Sequence, residues 1–450
     1  MNVVINDEWS MIPIYGRMID GNLNFADLFA QHNEHRIFFP RMVMLLVERL
    51  TSFNTVAEMY LSWALITATV AIIFYMFWRA NGGTTDFKTL AYFLPISLLM
   101  FSFRQEEAIL WGFACSIYFA ILGVVAALFL LDRAISNERF FPFSILCGIL
   151  ASYSFLTGLI VWPAGVIQIV LAIGDRAKRA RRFVMWSLSG LIVTALYLHN
   201  YHFPGQAATS HNPFRIAEYF LAVLGAPFTF EPAYLAASIG AVLALIALLV
   251  IYQAREAKML RANAVWISLI FFVAMSALAA TLGRSDLGVS QALSSRYTPI
   301  TILGIIGLYS FAISASRYYK GMGRSFCVHA LLTLVLLGLI VSAGAGWQIG
   351  QQTRVERQMA IQVLQNYPTE PDAVIVKYLN PNPTLVREWT RYLKVNRLNV
   401  FAGGNRTEMS LLPPANLLSP MEGIMVYKLM RILAQVRSIL HSLPLFTFHL

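Results

Sequence analysis

Long apolar stretches alternate with short polar segments along most of the chain. The stretches are roughly 16 to 23 residues long, close to the length that an α-helix needs to cross a bilayer. A helix is the expected form because lipid offers an irregular backbone no hydrogen-bond partners. The pattern predicts ten spans, at residues 57–78, 89–103, 108–131, 141–155, 157–173, 183–200, 233–253, 262–282, 297–316 and 327–347.

Polar regions flank the apolar stretches at both ends of the chain. Residues 1–56 include "FFPRMVMLLVERLTSF", an amphipathic stretch that indicates interfacial helices. In the region 348–450, "DAVIVKYL" is strand-like, "PTLVREWTRYLKVN" is helix-like, and "NPNP" separates them as a turn. Residues 420–450 resemble an amphipathic, basic helix on a membrane surface. We therefore predict three regions: a segment 1–56, a transmembrane domain 57–347, and a region 348–450 containing a small α/β unit.

The composition supports the membrane class. Hydrophobic residues make up 58% of the chain and charged residues 13%, about half the share of roughly 25% in soluble proteins. The three cysteines, Cys115, Cys147 and Cys327, lie in or beside apolar runs, at spacings that indicate neither a metal site nor a disulfide framework. The expected fold class is an all-α polytopic membrane protein.

The net charge of +11 is distributed unevenly between the loops. One alternating set of short loops holds fifteen Lys and Arg residues, and the other set holds four. Because Lys and Arg favour cytoplasmic loops, the first set is predicted to be cytoplasmic. The basic excess is thus a topology signal and not a nucleic-acid footprint, and residues 1–56 and 348–450 are predicted to lie outside.

An external N-terminus normally follows a signal peptide or a preceding span. The chain starts with "MNVVINDEWSMIP", which has neither a basic leader nor an apolar core. We therefore expect an eleventh span upstream of this sequence. The alternative is that a short N-terminus crosses the membrane together with the first span.

Asp7, Glu8 and Trp9 are the first candidates for chemistry. The two carboxylates are suited to deprotonating an acceptor hydroxyl or holding a divalent cation. Trp9 is suited to stacking on a sugar ring or anchoring at the interface. The alternative is a helix N-terminus, where acidic residues favour the positive end of the helix dipole.

The stretch "QHNEHRIFFPR" concentrates charge just before the first apolar run. His32, Glu34 and His35 resemble a metal-binding cluster, although they lack the HExxH spacing. Arg36 and Arg41 are suited to contacting an anionic group, since the arginine fork grips phosphate with two donors. In the alternative interpretation these arginines belong to an interface helix and meet lipid headgroups.

The predicted external loops contain four further candidates. Glu107 follows the second span. A carboxylate close to hydrocarbon is energetically costly, which favours a functional role for it. The alternative is that Glu107 lies in a solvated loop. His211 lies in a loop that also holds His199 and His202. These histidines are suited to act as acid–base groups or ligands, or they are simple hydrogen-bonding residues. Arg296 and Tyr297 begin the ninth span at a depth suited to a lipid phosphate, or Arg296 merely snorkels to the surface.

Several common motifs are absent. The sequence has no Walker A motif, no Rossmann glycine pattern, no GxSxG, and no string of acids within the spans. An ATP-driven pump and a proton-coupled transporter are both disfavoured on this basis. Polar residues crowd the predicted outer loops, which is typical of a reaction at the outer surface.

These features together resemble the C-type superfamily (GT-C) of integral-membrane glycosyltransferases, in particular a bacterial group of such proteins. The resemblance rests on "DEWSMIP…GNLNFADLFAQHNEHRIFFPR", and on the shorter "QEEAILWG", "GLIVWPAG", "LGAPF", "ALSSRYTP" and "NPTLVREW". It implies a GT-C-like fold, with an acidic residue of the first external segment, Asp7 or Glu8, as the catalytic base. The chain departs from the superfamily in lacking a span before that segment.

The resemblance also implies the partners and the location. The donor is a sugar on polyprenyl phosphate, whose phosphate Arg36, Arg41 and Arg296 are placed to contact, and the acceptor is a cell-envelope glycan or lipid. The enzyme is expected in the bacterial inner membrane with its site facing the periplasm. Two other functions stay open: a lipid-linked saccharide flippase and a non-catalytic envelope assembly protein.

Overall fold

The computed structural model describes residues 1–172, 175–203, 209–256, 259–316 and 322–402, with the backbone alone at 256, 315–316 and 322–327. These residues form no β-strand, and Met1–Ala402 is one compact unit. The helix predicted at 420–450 lies outside the described residues. The α-helices are α1 (Met11–Ile19), α2 (Phe25–Phe29), α3 (Phe38–Thr51), α4 (Thr55–Ala80), α5 (Phe87–Met100), α6 (Glu106–Ile109), α7 (Cys115–Ser136), α8 (Phe140–Ser152), α9 (Val161–Leu171), α10 (Arg176–Leu198), α11 (Pro213–Gly225), α12 (Ala233–Glu256), α13 (Ala264–Arg284), α14 (Thr298–Ser316), α15 (Met322–Gln365), α16 (Asp372–Tyr378) and α17 (Pro383–Val395).

The described residues confirm the helical class, and each of the ten predicted spans coincides with a helix. Within the part of the chain that the structure describes, six helices are long and apolar enough to cross a membrane: α4, α7, α12, α13, α14 and α15. The other four, α5, α8, α9 and α10, are shorter or begin with polar residues. The outward faces of several helices expose large apolar side chains, among them Leu94 of α5, Leu248 of α12 and Ile340 of α15, as expected of surfaces that meet lipid.

Glycines allow α11 and α12 to pack closely. A Cβ built on Gly240 would lie 1.9 Å from the Leu221 carbonyl oxygen, and one on Gly225 would lie 2.0 Å from the Ala236 carbonyl oxygen. These neighbours are backbone atoms, which cannot rotate away as a side chain can. Small residues at such crossings are typical of helix pairs in membranes.

Replacing Gly240 with Ala is therefore expected to separate α11 and α12. The free energy of unfolding should fall by about 2 kcal/mol, the usual cost of overpacking. Gly344→Ala is the matched control, since nothing lies within 4 Å of its added Cβ. Thermal unfolding in detergent should show a lower midpoint for the first variant only; equal midpoints would contradict this packing.

Contacts between loops define two ends of the helical unit. At one, which we call the basic end, Arg79 lies 3.7 Å from Asp132 and Arg182 lies 3.5 Å from Glu138. At the other, which we call the polar end, residues 31–36, 103–107 and 284–297 come together. The helices α4, α7 and α10 run between the two ends, so these members of the two predicted loop sets do lie apart.

The N-terminal segment and the chain after α15 pack together at the polar end. The Asn2 side chain accepts hydrogen bonds from the Thr55 amide at 3.0 Å and from the Asn399 amide group at 2.7 Å. The Asn6 amide donates to the Leu379 carbonyl at 2.8 Å. The 44 residues of α15 span about 66 Å, which exceeds the hydrocarbon thickness, and the helix runs through the predicted boundary at 347/348.

The predicted strand at 372–379 is wrong, because these residues form α16. Valine and isoleucine favoured a strand, but the buried positions are Ile375 and Leu379, four residues apart as on one face of a helix. The predicted helix at 383–396 is confirmed as α17, which Asn382 caps by accepting from the Leu385 amide at 3.1 Å. The C-terminal region up to residue 402 is thus helical and not α/β.

Candidate functional site

Asp7 and Glu8 point into different surroundings. Both lie in the short 3₁₀ helix Asn6–Ser10, where the Asp7 side chain is 38% exposed and Glu8 is 2% exposed. The Glu8 carboxylate accepts from the Ile5 amide at 2.9 Å and from the Gly112 amide at 3.1 Å. Glu8 therefore caps the short helix and ties it to the loop before α7. This agrees with the alternative interpretation of Glu8 as an acidic residue at a helix N-terminus.

The environment of Glu8 also favours a structural role. Burial raises the pKa of Glu8 to about 7, against the opposing effects of Arg357 and of the two amides that it accepts from. An acceptor hydroxyl has no path to this enclosed group. Of the two predicted catalytic acids, only Asp7 is open to a substrate.

Trp9 is fully buried, with 0% of its surface exposed. Its ring belongs to the core and has no face open to a sugar or to lipid. The role predicted for Trp9 as a stacking platform therefore does not fit the structure. Its apolar bulk instead fixes the short helix that carries Asp7.

The "HNEH" stretch folds into a tight turn that faces Asp7. His32 and His35 exchange two backbone hydrogen bonds of 2.7 and 2.8 Å, while Asn33 adopts a left-handed conformation with φ of 49°. Asn tolerates that conformation better than most residues. The turn places His32 Nε2 3.6 Å from Asp7 Oδ2, which is longer than a hydrogen bond, so the contact is electrostatic.

The neighbours of Asp7 keep its carboxyl ionised. Burial on its own would raise the pKa of Asp7, but nearby His32 and the Arg296 guanidinium lower it below its ordinary value. At neutral pH the group is a carboxylate that is able to accept a proton. Because Arg296 acts on it, positive charge lies close to the atom that would take that proton.

His35 is held neutral in this turn. Burial lowers the pKa of His35 to about 4, although Glu34 opposes the shift. Its Nδ1 accepts from the Leu156 amide at 3.2 Å, so the proton sits on Nε2, which faces Glu34 Oε1 at 3.6 Å. The ring stacks on Phe155 with centroids 3.8 Å apart. His35 is thus a fixed part of the wall and not an acid–base group.

Two ion pairs flank Asp7 and His32. Arg284 lies 2.5 Å from Glu34 Oε1, and Arg296 Nε lies 3.1 Å from Glu107 Oε1. The serines at 294 and 295 orient the second pair, since one donates to the Glu107 carboxylate at 3.2 Å and the other accepts from the Glu107 amide at 3.1 Å. These contacts join the N-terminal turn, the loop at 103–107 and the loop at 284–297 into one charged surface.

Arg36 and Arg41 do not contribute to this charged surface. Arg36 donates to the carbonyls of Tyr197 at 2.7 Å, Phe29 at 2.9 Å and His199 at 2.6 Å. Arg41 donates to three carbonyls between residues 27 and 30. Both side chains are buried, and the hydrogen bonds that they donate go to backbone carbonyls. Arg36 holds the N-terminal segment against the end of α10, and Arg41 ties α3 to residues 27–30. We therefore leave both arginines out of the phosphate site for which they were predicted.

The remaining predicted residues lie at the edge of the polar end. The Tyr297 hydroxyl donates to Gln291 Oε1 at 3.2 Å. His211 is exposed, just before α11, in a loop whose Ser210 contacts Ser285. Among the described residues no three His, Cys, Asp or Glu side chains converge on a position suited to a metal ion. The cluster of His32, Glu34 and His35 therefore serves as a turn.

Two buried glutamates near the site were not among the residues predicted from the sequence. Glu48 of α3 and Glu58 of α4 are 2% and 1% exposed, and their carboxyl groups lie within hydrogen-bond reach of each other. Each also has one oxygen without a partner. Both acids lie among apolar residues in the sequence, where a charge is energetically costly, and this position could have identified them.

Searches of protein-family models, of curated proteins and of solved structures returned no match to this chain. Any functional assignment therefore rests on the residues and geometry described above.

Proposed function

We propose that this chain is a membrane glycosyltransferase that moves a sugar from a polyprenyl-phosphate donor to a glycan or lipid acceptor. The observation that carries the proposal is Asp7, an ionised and partly exposed carboxylate beside His32, with Arg296 close enough to act on its charge. The resemblance of the N-terminal stretch to the C-type superfamily supplies the substrate class. The site faces the periplasm if the basic loops lie in the cytoplasm, in the inner membrane of a bacterium.

In this mechanism the acceptor hydroxyl oxygen attacks the anomeric carbon of the sugar. Asp7 takes the hydroxyl proton while the bond from that carbon to the phosphate oxygen breaks. Polyprenyl phosphate leaves with the bonding electron pair, and a direct displacement inverts the anomeric configuration. The step is balanced without a nucleotide or a redox partner.

Arg296 is suited to stabilising the departing phosphate. Its Nε is held by Glu107 and Ser294, and within the described residues its two terminal nitrogens donate no other hydrogen bond. A guanidinium whose orientation is set by one carboxylate can present its outer edge to a phosphate. Fixed charge of this kind stabilises the negative charge that develops on the leaving group.

The test is to incubate purified protein with a panel of polyprenyl-phosphate sugars and candidate acceptors. We expect release of polyprenyl phosphate with at least one donor, in amounts equal to the glycosylated product. The variant Arg296→Gln should lower kcat/KM for that donor by about 10²-fold, since it removes charge from the leaving group.

The same assay separates the alternatives. Arg215→Gln, an exposed arginine of α11, is the control and should retain the wild-type rate. Movement of a lipid-linked saccharide across vesicles without release of polyprenyl phosphate would favour a flippase. Absence of both activities with every donor would contradict the proposal and favour an assembly role.

A further inference from the structure

A basic surface with an apolar continuation lies at the basic end, opposite the proposed catalytic site. The segments 137–139 and 175–182 hold six basic residues and two acidic ones. Arg139, Arg176, Lys178 and Arg181 are exposed there. Glu138 is engaged by Arg181 and Arg182, so most of the positive charge is not neutralised within this surface.

Two helices carry exposed apolar side chains next to these segments: α8, which follows residues 137–139, and α10, which begins at Arg176. On α10 these are Val184, Leu188 and Leu191, which are spaced as on one face of a helix. On the neighbouring α8 they are Phe143 and Leu146. The opposite face of α10 packs inward through Trp186, which contacts Trp162 of α9. Charge followed by an apolar strip matches the order of groups in a phospholipid, headgroup first and acyl chains next.

A small cleft opens between α7, α9 and α10 at this end. It is lined by Leu131, Ile135, Gln168, Ile169, Ala172 and Arg182. Arg182 is 7% exposed and its Nε has no hydrogen-bond partner, although Nε is a donor. Gln168 donates to the Leu128 carbonyl at 2.9 Å, but its buried Oε1 has no partner either. The cleft thus offers one free donor and one free acceptor, in a space for a single water-sized group.

We propose that this surface binds an anionic phospholipid whose headgroup carries a hydroxyl, such as phosphatidylglycerol. The exposed basic residues contact the phosphate, and the acyl chains lie along the apolar strip of α8 and α10. A headgroup hydroxyl enters the cleft, where its oxygen accepts from Arg182 Nε and its proton is donated to Gln168 Oε1. The site is independent of the proposed transferase activity.

The experiment measures lipid binding to the purified full-length protein in a neutral detergent by native mass spectrometry. Phosphatidylglycerol is compared with phosphatidylmethanol, which has the same charge but no headgroup hydroxyl, and with phosphatidylcholine. We expect both anionic lipids to bind more tightly than phosphatidylcholine. Phosphatidylglycerol should exceed phosphatidylmethanol about fivefold, the usual contribution of one net hydrogen bond.

Two variants separate charge from the hydroxyl contact. The double variant Arg139→Gln with Lys178→Gln should weaken the binding of both anionic lipids about tenfold, because each basic residue near the headgroups adds electrostatic attraction. Gln168→Leu should remove the preference for phosphatidylglycerol while leaving phosphatidylmethanol unchanged. The matched control, Arg391→Gln with Arg397→Gln, removes equal charge from exposed positions in and after α17 and should change neither affinity.

Several results would overturn the proposal. Wild-type affinity in the Arg139 and Lys178 double variant would show that the basic surface does not select the lipid. Equal binding of phosphatidylglycerol and phosphatidylmethanol would show that the cleft holds only water. Displacement of phosphatidylglycerol by equimolar free glycerol phosphate would identify a site for soluble anions.

Discussion

Replacing Asp7 with Asn is expected to lower the rate of sugar transfer by about 10³-fold. The substitution keeps the size of the side chain and its place beside His32, but it removes the carboxylate that takes the acceptor proton. General-base catalysis typically contributes 10²–10⁴-fold. The measurement is the initial rate of polyprenyl-phosphate release, with the donor and acceptor that the panel identifies.

The design of this test separates chemistry from folding. Asp20→Asn, an exposed acid at the end of α1, should keep the wild-type rate. Donor binding by the Asp7 variant should stay within about threefold of wild type, because Arg296 and Glu107 are unchanged. A rate above one tenth of wild type, from a variant with a normal unfolding midpoint, would rule out Asp7 as the base. If lipid transport is the activity instead, the substitution should hardly affect it.

Raising the pH from 5 to 9 is expected to destabilise the protein through its buried acids. Burial raises the pKa of Glu48, as it does that of Glu8, so the folded chain holds protons that the unfolded chain releases. The stabilisation is complete below about pH 4.5, the ordinary value of glutamate, and is lost as pH rises through the folded pKa. For Glu8, with a folded pKa of about 7, the loss is on the order of 3 kcal/mol.

Glu48→Gln is expected to reduce this pH dependence. The amide resembles the protonated acid in shape and stays neutral, so it should stabilise the protein at pH 9 and change little at pH 5. Glu58 of α4 and Glu8 face Glu48, and neither supplies the positive charge that an ionised Glu48 would need. The measurement is the midpoint of thermal unfolding at each pH in one detergent.

The control for Glu48 is Glu388→Gln, on the exposed face of α17. It should leave the pH profile of the unfolding midpoint unchanged. An identical profile for Glu48→Gln and wild type would mean that Glu48 does not titrate in this range. A profile of transfer activity that follows the same midpoint would trace activity loss at high pH to unfolding and not to Asp7, which is ionised throughout.

The interior positions of the apolar runs were predictable because hydropathy is a local property. A run of about 20 apolar residues has few stable forms in lipid, whatever its neighbours are. The prediction of a strand at 372–379 was wrong because a short apolar segment fits both the two-residue repeat of a strand and the 3.6-residue repeat of a helix. The packing of this segment at the polar end favours the helix. The number of spans also stays open, since α8 and α9 are short for a full crossing.

The sequence by itself indicated the membrane class, the positions of the helices in the ten apolar runs and the polar character of residues 1–56 and the outer loops. Only the tertiary structure decided which charged groups meet. Asp7 is partly exposed and Glu8 is enclosed although the two are adjacent. Arg296 pairs with Glu107 near Asp7, whereas Arg36 and Arg41 bond to backbone carbonyls. The reason is that the burial and partners of a charged side chain depend on segments far away in sequence, as with Glu34 and Arg284, 250 residues apart.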